Sequence, residues 1–585
     1  MTAPKIETVR PVPETELEAV PTSTLPRLWG IGDVPWLWGT RIRILFVIDG
    51  RIVESDSAEK FGLGPVLSTL RNPWFAWWVR FSVHVEKRDS PSSFRFTQDG
   101  FDIDAFDQIW FFGDWPGLDA NLPTAGDDLI GLPKYSPMGD DELKILAEWM
   151  ERGGGVFATG DHTLLGASMC SRVPRVRTMR KWTRAQGVPA FSGAARHETL
   201  VHLGEDRLAE EGDRWPQRIY PVYRVDTSVP WLAGRSPHPL LCGENGVIDR
   251  FPDHMHEGVV FEDQDVRLDI PLGIPGFEGV EYPSVPIVIG PTDATARSAA
   301  PPGSEPFENR PRPHVVAHGL TTNEDSPPRR FGLIGAYDGD PVGLGRVVVD
   351  STWHHWFSMN ILGFRDEAPH LYRGMQNYYR NVALWLATPE QRASMLFAAT
   401  WGALVGKHPG AFSHALTIWE LGERVVDVIG RTAPQCIVSE LVGVFARSQP
   451  GQTRDAMGRI DGPRLMPAAS TVNQAIVGGI ARGLLDAAHQ HITERAYGRE
   501  SVLDEEAIRR GGLEGVVAGT RALTEAVTES AAELVDLATG LSDPAGRLRE
   551  REIPIGGGWG DGGRGEGGRG EGGWIDQVVD GANQG

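Results

Sequence analysis

The chain has 585 residues, 41% hydrophobic and 23% charged, with a formal net charge of −21. That length exceeds one ordinary domain and calls for two or three units with at least one sizeable core. The acidic balance disfavours non-specific nucleic-acid binding, and no run of about twenty apolar residues reads as a membrane span.

Residues 1–40 are rich in Pro, Thr and Glu and lack an apolar h-region, which predicts an irregular leader and no secretory signal. Residues 41–50 (RIRILFVIDG) are an apolar run ending in Asp-Gly, as a buried parallel strand would be, and 107–114 (DQIWFFGD) repeats that grammar. Residues 140–150 carry acids in the first turn and apolar residues at helical spacing; Gly153-Gly154-Gly155 stops that helix. Another strand begins at Val156. Strand, helix, glycine stop and strand form the βαβ pattern of a parallel sheet.

A basic stretch, residues 172–184 (RVPRVRTMRKWTR), reads as a solvated helix face or as partners for carboxylates. From about 190 to 280 the periodicity fades into a long insertion over the sheet. Strand grammar returns at 285–290, 331–335 and 345–350, and 296–313 is a Pro-rich surface loop. After about 370 the pattern turns helical, with amphipathic stretches near 375–386, 390–405, 413–430, 434–447, 470–490 and 513–540. The expected division is therefore a leader (1–40), an α/β domain (41–390), a helical domain (391–550) and a glycine-rich disordered tail (551–585). The helical domain is the natural place for a protein partner. Three cysteines, Cys170, Cys242 and Cys436, odd in number and widely spaced, argue against a disulfide framework and fit a reducing cytoplasm.

Ligands of parallel sheets bind beyond the carboxyl ends of the strands. Four such ends carry polar groups here: Asp49, Asp114 with Trp115, Asp161-His162, and Asp350 through His354-His355. Gly160 before Asp161-His162 predicts a tight turn that lifts a side chain beside a helix N-terminus. Asp161 alone serves equally well as an N-cap. With His354-His355 following their own strand, the functional reading is favoured; neighbouring residues point to opposite faces, so one of the pair reaches the pocket, and His355 is favoured.

These features in this order resemble the class I glutamine amidotransferase-like superfamily, particularly its ThuA-like branch. They comprise the strand ending at Asp49-Gly50, the 107–114 strand, the 140–155 helix with its triple-glycine exit, and the elbow at Gly160-Asp161-His162. A late Gly-Arg-Val-Val-Val strand then leads to His354-His355. The resemblance spans roughly residues 40–390 and implies a flavodoxin-like three-layer fold with its site at the elbow. Glutamine-hydrolysing members have an elbow cysteine; this chain has none there, and Cys170 lies further on. ThuA-like members commonly carry a histidine near the elbow, as His162 stands here, and their activities are mostly sugar-related or unassigned.

A second cluster, Asp253-His254-Met255-His256-Glu257, lies in the insertion. His-x-His in an extended segment puts both imidazoles on one face, so His254 and His256, with Asp253 and Glu257, are candidate ligands for a divalent metal such as zinc. A polar loop with backbone-bonded histidines is the competing reading. Other motifs fail: residues 197–202 (HETLVH) have the wrong spacing for HExxH, 402–408 (GALVGKH) is one residue short of a P-loop, and no GxSxG occurs. Trp74, Trp77, Trp78, Trp353 and Trp356 read as core before they read as sugar platforms.

Three functions follow. The leading one is acid–base chemistry on a small polar, carbohydrate-like molecule, with His162 and His354 or His355 moving protons and Asp161 orienting or binding. The others are a non-catalytic binding protein on the same scaffold, and metal-dependent hydrolysis through His254 and His256.

Overall fold

The computed structural model describes residues 39–542 except 58–60, 73–75, 89–92, 117–137, 161–164, 183–185, 187–215, 226–234, 245, 253–259, 287–307, 324–325, 352–353, 406–411, 449–468 and 497–504. The glycine-rich tail therefore lies outside the described residues. The architecture is α/β. Its centre is an eight-stranded sheet of β1 (Thr40–Ile48), β2 (Val79–Lys87), β3 (Gln108–Gly113), β4 (Gly155–Gly160), β5 (Tyr220–Pro221), β6 (His314–Asn323), β7 (Ser326–Tyr337) and β8 (Val347–Asp350). The spatial order is β2-β1-β3-β4-β8-β7-β6-β5. The first five are mutually parallel; the last three run antiparallel to their neighbours.

The sheet is thus mixed, which corrects the expectation of a purely parallel one. The 331–335 run belongs to β7, which joins β6 as an antiparallel hairpin. A continuous apolar run reports burial on both faces, which an inner antiparallel strand shares with a parallel one. The run expected at 285–290 is also displaced: Val285–Pro286 pairs with Glu308–Asn309 in a separate two-stranded ladder. Strand β2 was not among the expected elements. Only Val79 is buried; the residues after it alternate at first between exposed and half-buried, as an edge strand's do.

Strands β3, β4 and β8 are buried at every residue, which is why their sequences are nearly continuous apolar runs. One face carries an aromatic layer: Phe46 stacks on Trp110 at 5.1 Å, Trp110 meets Phe157 at 5.2 Å, and Phe157 meets Trp356 at 4.7 Å. Trp78 and Trp356 are core residues, as expected, whereas Trp77 is 39% exposed; Trp74 and Trp353 lie outside the described residues.

The helices are α1 (Gly64–Leu70), α2 (Asp140–Glu151), α3 (Ala167–Cys170), α4 (Val176–Met179), α5 (Ser358–Glu367), α6 (Pro369–Trp385), α7 (Pro389–Val405), α8 (Ile418–Gly430), α9 (Gln435–Ser448), α10 (Ala469–Ala496) and α11 (Glu505–Ser542). Beyond residue 389 all described elements are helical. Among the described residues, those through Thr528 form one compact unit with the sheet, and those from Glu529 onward fall in a second. Helix α8 starts with a capping box: Thr417 accepts from the Glu420 N–H and Glu420 accepts from the Thr417 N–H. Helices α10 and α11 cross with their backbones in contact. A methyl group at Gly479 or Gly483 would overlap the carbonyl of Gly515 or Gly511, so only glycine permits this approach. Among the described residues no helix is long and apolar enough to cross a membrane.

Two features tie the C-terminal helices to the α/β part of this unit. Arg346, just before β8, meets Asp338, Asp340 and Glu440, and Arg392 of α7 meets Asp340 and Glu440 of α9. Cys242 and Cys436 form a disulfide, 194 residues apart in sequence. The disulfide corrects the expectation from cysteine counting: an odd, scattered set can still hold one pair that the fold brings together. The basic stretch is largely paired with carboxylates, Arg172 with Asp140, Arg175 with Glu151 and Arg177 with Glu281.

Candidate functional site

The parallel arrangement puts the carboxyl ends of β1, β3, β4 and β8 on one edge. Register aligns them: Ile48 pairs with Phe112, Gly113 with Gly160, and Asp350 with Thr159. Each strand ends in, or is followed by, an aspartate. Adjacent strands lie about 4.8 Å apart, so Asp49 and Asp350 are separated by three intervals, roughly 14 Å. The edge holds two clusters, one at each end of that row.

At β1 and β3, Asp49 Oδ1 accepts the N–H groups of Asp114 and Trp115, at 2.5 and 3.3 Å. Asp114 accepts the Arg51 N–H at 2.8 Å and is clamped by the Arg51 guanidinium, Nη2 to Oδ1 at 2.7 Å. Asp49, Asp114 and Trp115 are buried. The two carboxylates hold neighbouring loops to each other. Gly113 and Gly166 cross here with no room for a side chain, and Gly166 has φ of +86°.

Burial pushes the Asp49 carboxyl well above its usual pKa; the Asp114 and Trp115 N–H groups oppose the shift, and the Asp114 charge adds to it. A folded pKa above the unfolded one contributes stability that is full at low pH and lost as pH rises through the folded value. An asparagine side chain at this position would keep an oxygen acceptor for both N–H groups without the buried charge. Thermal melts of Asp49→Asn should therefore match wild type at acidic pH and gain on it as pH rises. A variant that melts below wild type by a constant margin at every pH would contradict this.

At β8, Asp350 Oδ2 accepts from three groups: His355 Nε2 at 2.8 Å, Tyr378 OH at 3.1 Å and Trp356 Nε1 at 3.4 Å. Because Oδ2 is the acceptor for an indole and a phenol, it is also the acceptor for the imidazole. His355 Nε2–H is therefore the donor in this contact. The His355 carbonyl accepts the Tyr379 hydroxyl at 2.5 Å, and the ring stacks on Phe251 with centroids 4.2 Å apart. The ring is therefore fixed by a carboxylate, a backbone bond and a stacked face. His354 is buried in the same turn, His354–Trp356.

Between the two clusters stands β4, which is next to β8 and parallel to it. Asp161 and His162 follow its last residue and lie outside the described residues, as do Asp253, His254, His256 and Glu257. Among the described residues no group of three or more His, Cys, Asp or Glu side chains is placed to hold a metal ion. Arg180 is fully buried at the β4 end, donates to the Gly160 carbonyl at 2.8 Å, and stacks on Trp182 at 4.0 Å. Cys170 is buried on α3, and burial pushes its thiol far above the usual range, so it is not poised to form a thiolate.

The sequence reading missed Arg51, Arg180, Tyr378 and Phe251. Arg51 directly follows Asp49-Gly50, a readable signal. Tyr378 lies twenty-eight residues from Asp350 on a helix and left no such trace. Comparison with protein-family models, curated proteins and solved structures finds no match, so the site is read from its own geometry.

Proposed function

We propose that the chain is an acid–base enzyme acting on a small polar, carbohydrate-like molecule, on a flavodoxin-like, amidotransferase-like scaffold of the ThuA type. The observation that carries this is the Asp350–His355 dyad: a buried imidazole held by a carboxylate at Nε2, with Nδ1 unbonded among the described residues. That is the arrangement of a positioned general base, in which the carboxylate fixes the tautomer and stabilises the imidazolium formed when Nδ1 takes a proton. Its place at the carboxyl edge of a central parallel strand is where such folds bind ligands, and the order β2-β1-β3-β4 in the parallel half supports the flavodoxin-like assignment. Tyr378 and Trp356 hold Asp350 and so act through it. Phe251 covers the imidazole face, and a substrate must approach past that ring.

Proton transfer can be read without knowing the reaction. The full chain is incubated with neutral sugars in deuterated water, and mass spectrometry follows deuterium uptake and new products. His355→Asn should lower any turnover about 100-fold or more, and Asp350→Asn should lower it by a smaller factor. Sugar binding without turnover or exchange in the wild type would favour the non-catalytic reading instead. Turnover unchanged in His355→Asn would remove the dyad from the chemistry.

A further inference from the structure

The two edges of the sheet are built differently. Strand β5 is two residues long and ends in Pro221, so that edge offers almost no backbone for pairing. Strand β2, at the other edge, runs nine residues without proline and pairs residue for residue with β1, with no bulge. Thr40 donates to the Trp78 carbonyl at 3.0 Å and Arg88 to the Ile48 carbonyl at 2.8 Å, so the even-numbered residues along β2 bond β1. The odd-numbered residues turn N–H and C=O outward. Ala76 bridges Val79 at the start of that edge, and the half-exposed Arg71 guanidinium donates to the Val83 carbonyl at 3.1 Å. Among the described residues no further strand lies beyond β2.

We propose that this edge is where two copies of the chain meet, β2 against β2, antiparallel about a twofold axis at Val83. The charges select the register. With Val83 opposite itself, Arg80 of each copy faces Glu86 of the other, Ser82 faces His84, and Val85 faces Phe81. Odd residues then oppose odd residues, so outward N–H and C=O groups meet, as a ladder requires. Opposed unlike charges stabilise a cross-strand pair, whereas like charges repel. The neighbouring registers, centred on Ser82 or His84, would set Arg80 against His84 or against Arg88. Glu86 also holds its own His84 at 2.8 Å, which keeps the carboxylate on the face where Arg80 of the second copy arrives. A twofold pairing uses both β2 edges and closes, so it stops at two chains. Arg71 shields the Val83 carbonyl in the single chain and swings aside in the pair.

Pairing over so few residues buries less than a standard interface, so a dissociation constant of about 10 μM is expected. Sedimentation of the full chain should show the mass rising from one copy toward two between about 1 and 100 μM. Arg80→Glu sets carboxylate against carboxylate at two symmetric places and should weaken the dimer about tenfold or more; Glu86→Arg should do the same. The double variant Arg80→Glu/Glu86→Arg restores both pairs with the signs exchanged and should recover the dimer. Arg71→Ala uncovers the Val83 carbonyl and should tighten it. Ser82 and His84 face each other as a closely spaced pair, about 4.5 Å between Cα atoms. An equimolar mixture of Ser82→Cys and His84→Cys, treated with oxidised glutathione, should therefore give disulfide-linked dimers, and neither variant alone should.

A wild type that stays monomeric across the range overturns the proposal, as does a mixture that fails to cross-link. A dimer that ignores Arg80→Glu and Glu86→Arg uses another surface and overturns it too. A dimer weakened by each single substitution and not restored by the double one excludes this register. Melting temperatures of the charge variants, read at about 1 μM where the chain is single, should match the wild type's within about 2 °C, since Arg80 is exposed and Glu86 lies at the edge. Loss of the dimer that merely tracks a lower melting temperature would also count against the pairing.

Discussion

Arg346→Met lowers the stability of the folded unit by about 3–5 kcal/mol, the usual cost of removing one partner from a buried ion cluster. Arg346 is 1% exposed, and Arg392 is fully buried. Burial alone would lower the Arg346 pKa; Asp340, Glu440 and Asp338 outweigh it and raise it. Its Nη1 group also donates to the Trp385 carbonyl at 2.9 Å, and the guanidinium lies 4.5 Å from the Trp385 ring centroid. Three carboxylates face two guanidinium groups, so removing one leaves a surplus of negative charge in a low-dielectric place. Chemical denaturation would show a lower midpoint with an unchanged slope.

A second substitution separates lost charge from lost packing. Glu440→Gln alone should be destabilising, since it strips both arginines of a partner. In the Arg346→Met background it should cost less, because one carboxylate fewer is left unpaired. Additive costs would mean that the side chain matters through its contact with Trp385 and not through its charge. The cluster joins the β7–β8 connection to α7 and α9, so its loss should loosen the helices from the sheet before it disturbs the sheet itself.

The same contrast decides what could be read from the sequence. Apolar runs ending in aspartate located β1, β3, β4 and β8, because burial on both faces forces continuous hydrophobicity and the turn beyond needs a polar residue. Direction did not follow from the runs, and β7 came out antiparallel. Strand β2 escaped because an edge strand with one wet face looks like an alternating polar segment. At the edge, Asp49, Asp114, Asp350 and His355 were legible as polar groups at strand ends. Their division of labour was not. Asp49 and Asp114 turn to backbone N–H groups and Arg51, whereas Asp350 turns to His355, and only the packing of α6 across the aromatic layer decides which does what. The cysteine pair was illegible for a similar reason, since a separation of 194 residues carries no geometric signal.

That pair yields the second large effect. Closing a loop of 194 residues removes so much freedom from the unfolded chain that Cys242→Ser should cost about 5 kcal/mol on the chain-entropy account. Cys436 stands one turn before Glu440 on α9, beside the arginine cluster, so the disulfide and the ion pairs brace the same helix. Cys242 also sits against α6, where Asn381 donates to its carbonyl at 2.7 Å and to that of Leu240 at 3.1 Å. Helix α6 carries Tyr378, which holds Asp350, so loosening at Cys242 should reach the dyad. Melts of the wild type with and without a dithiol reductant should differ by several degrees, while Cys242→Ser and Cys436→Ser should each be insensitive to reductant. The native helical signal should survive reduction below the new melting point, because the ion cluster still anchors α9. Equal melting temperatures in oxidised and reduced protein, with both thiols then free to alkylation only after reduction, would mean that the bond forms yet contributes nothing to stability.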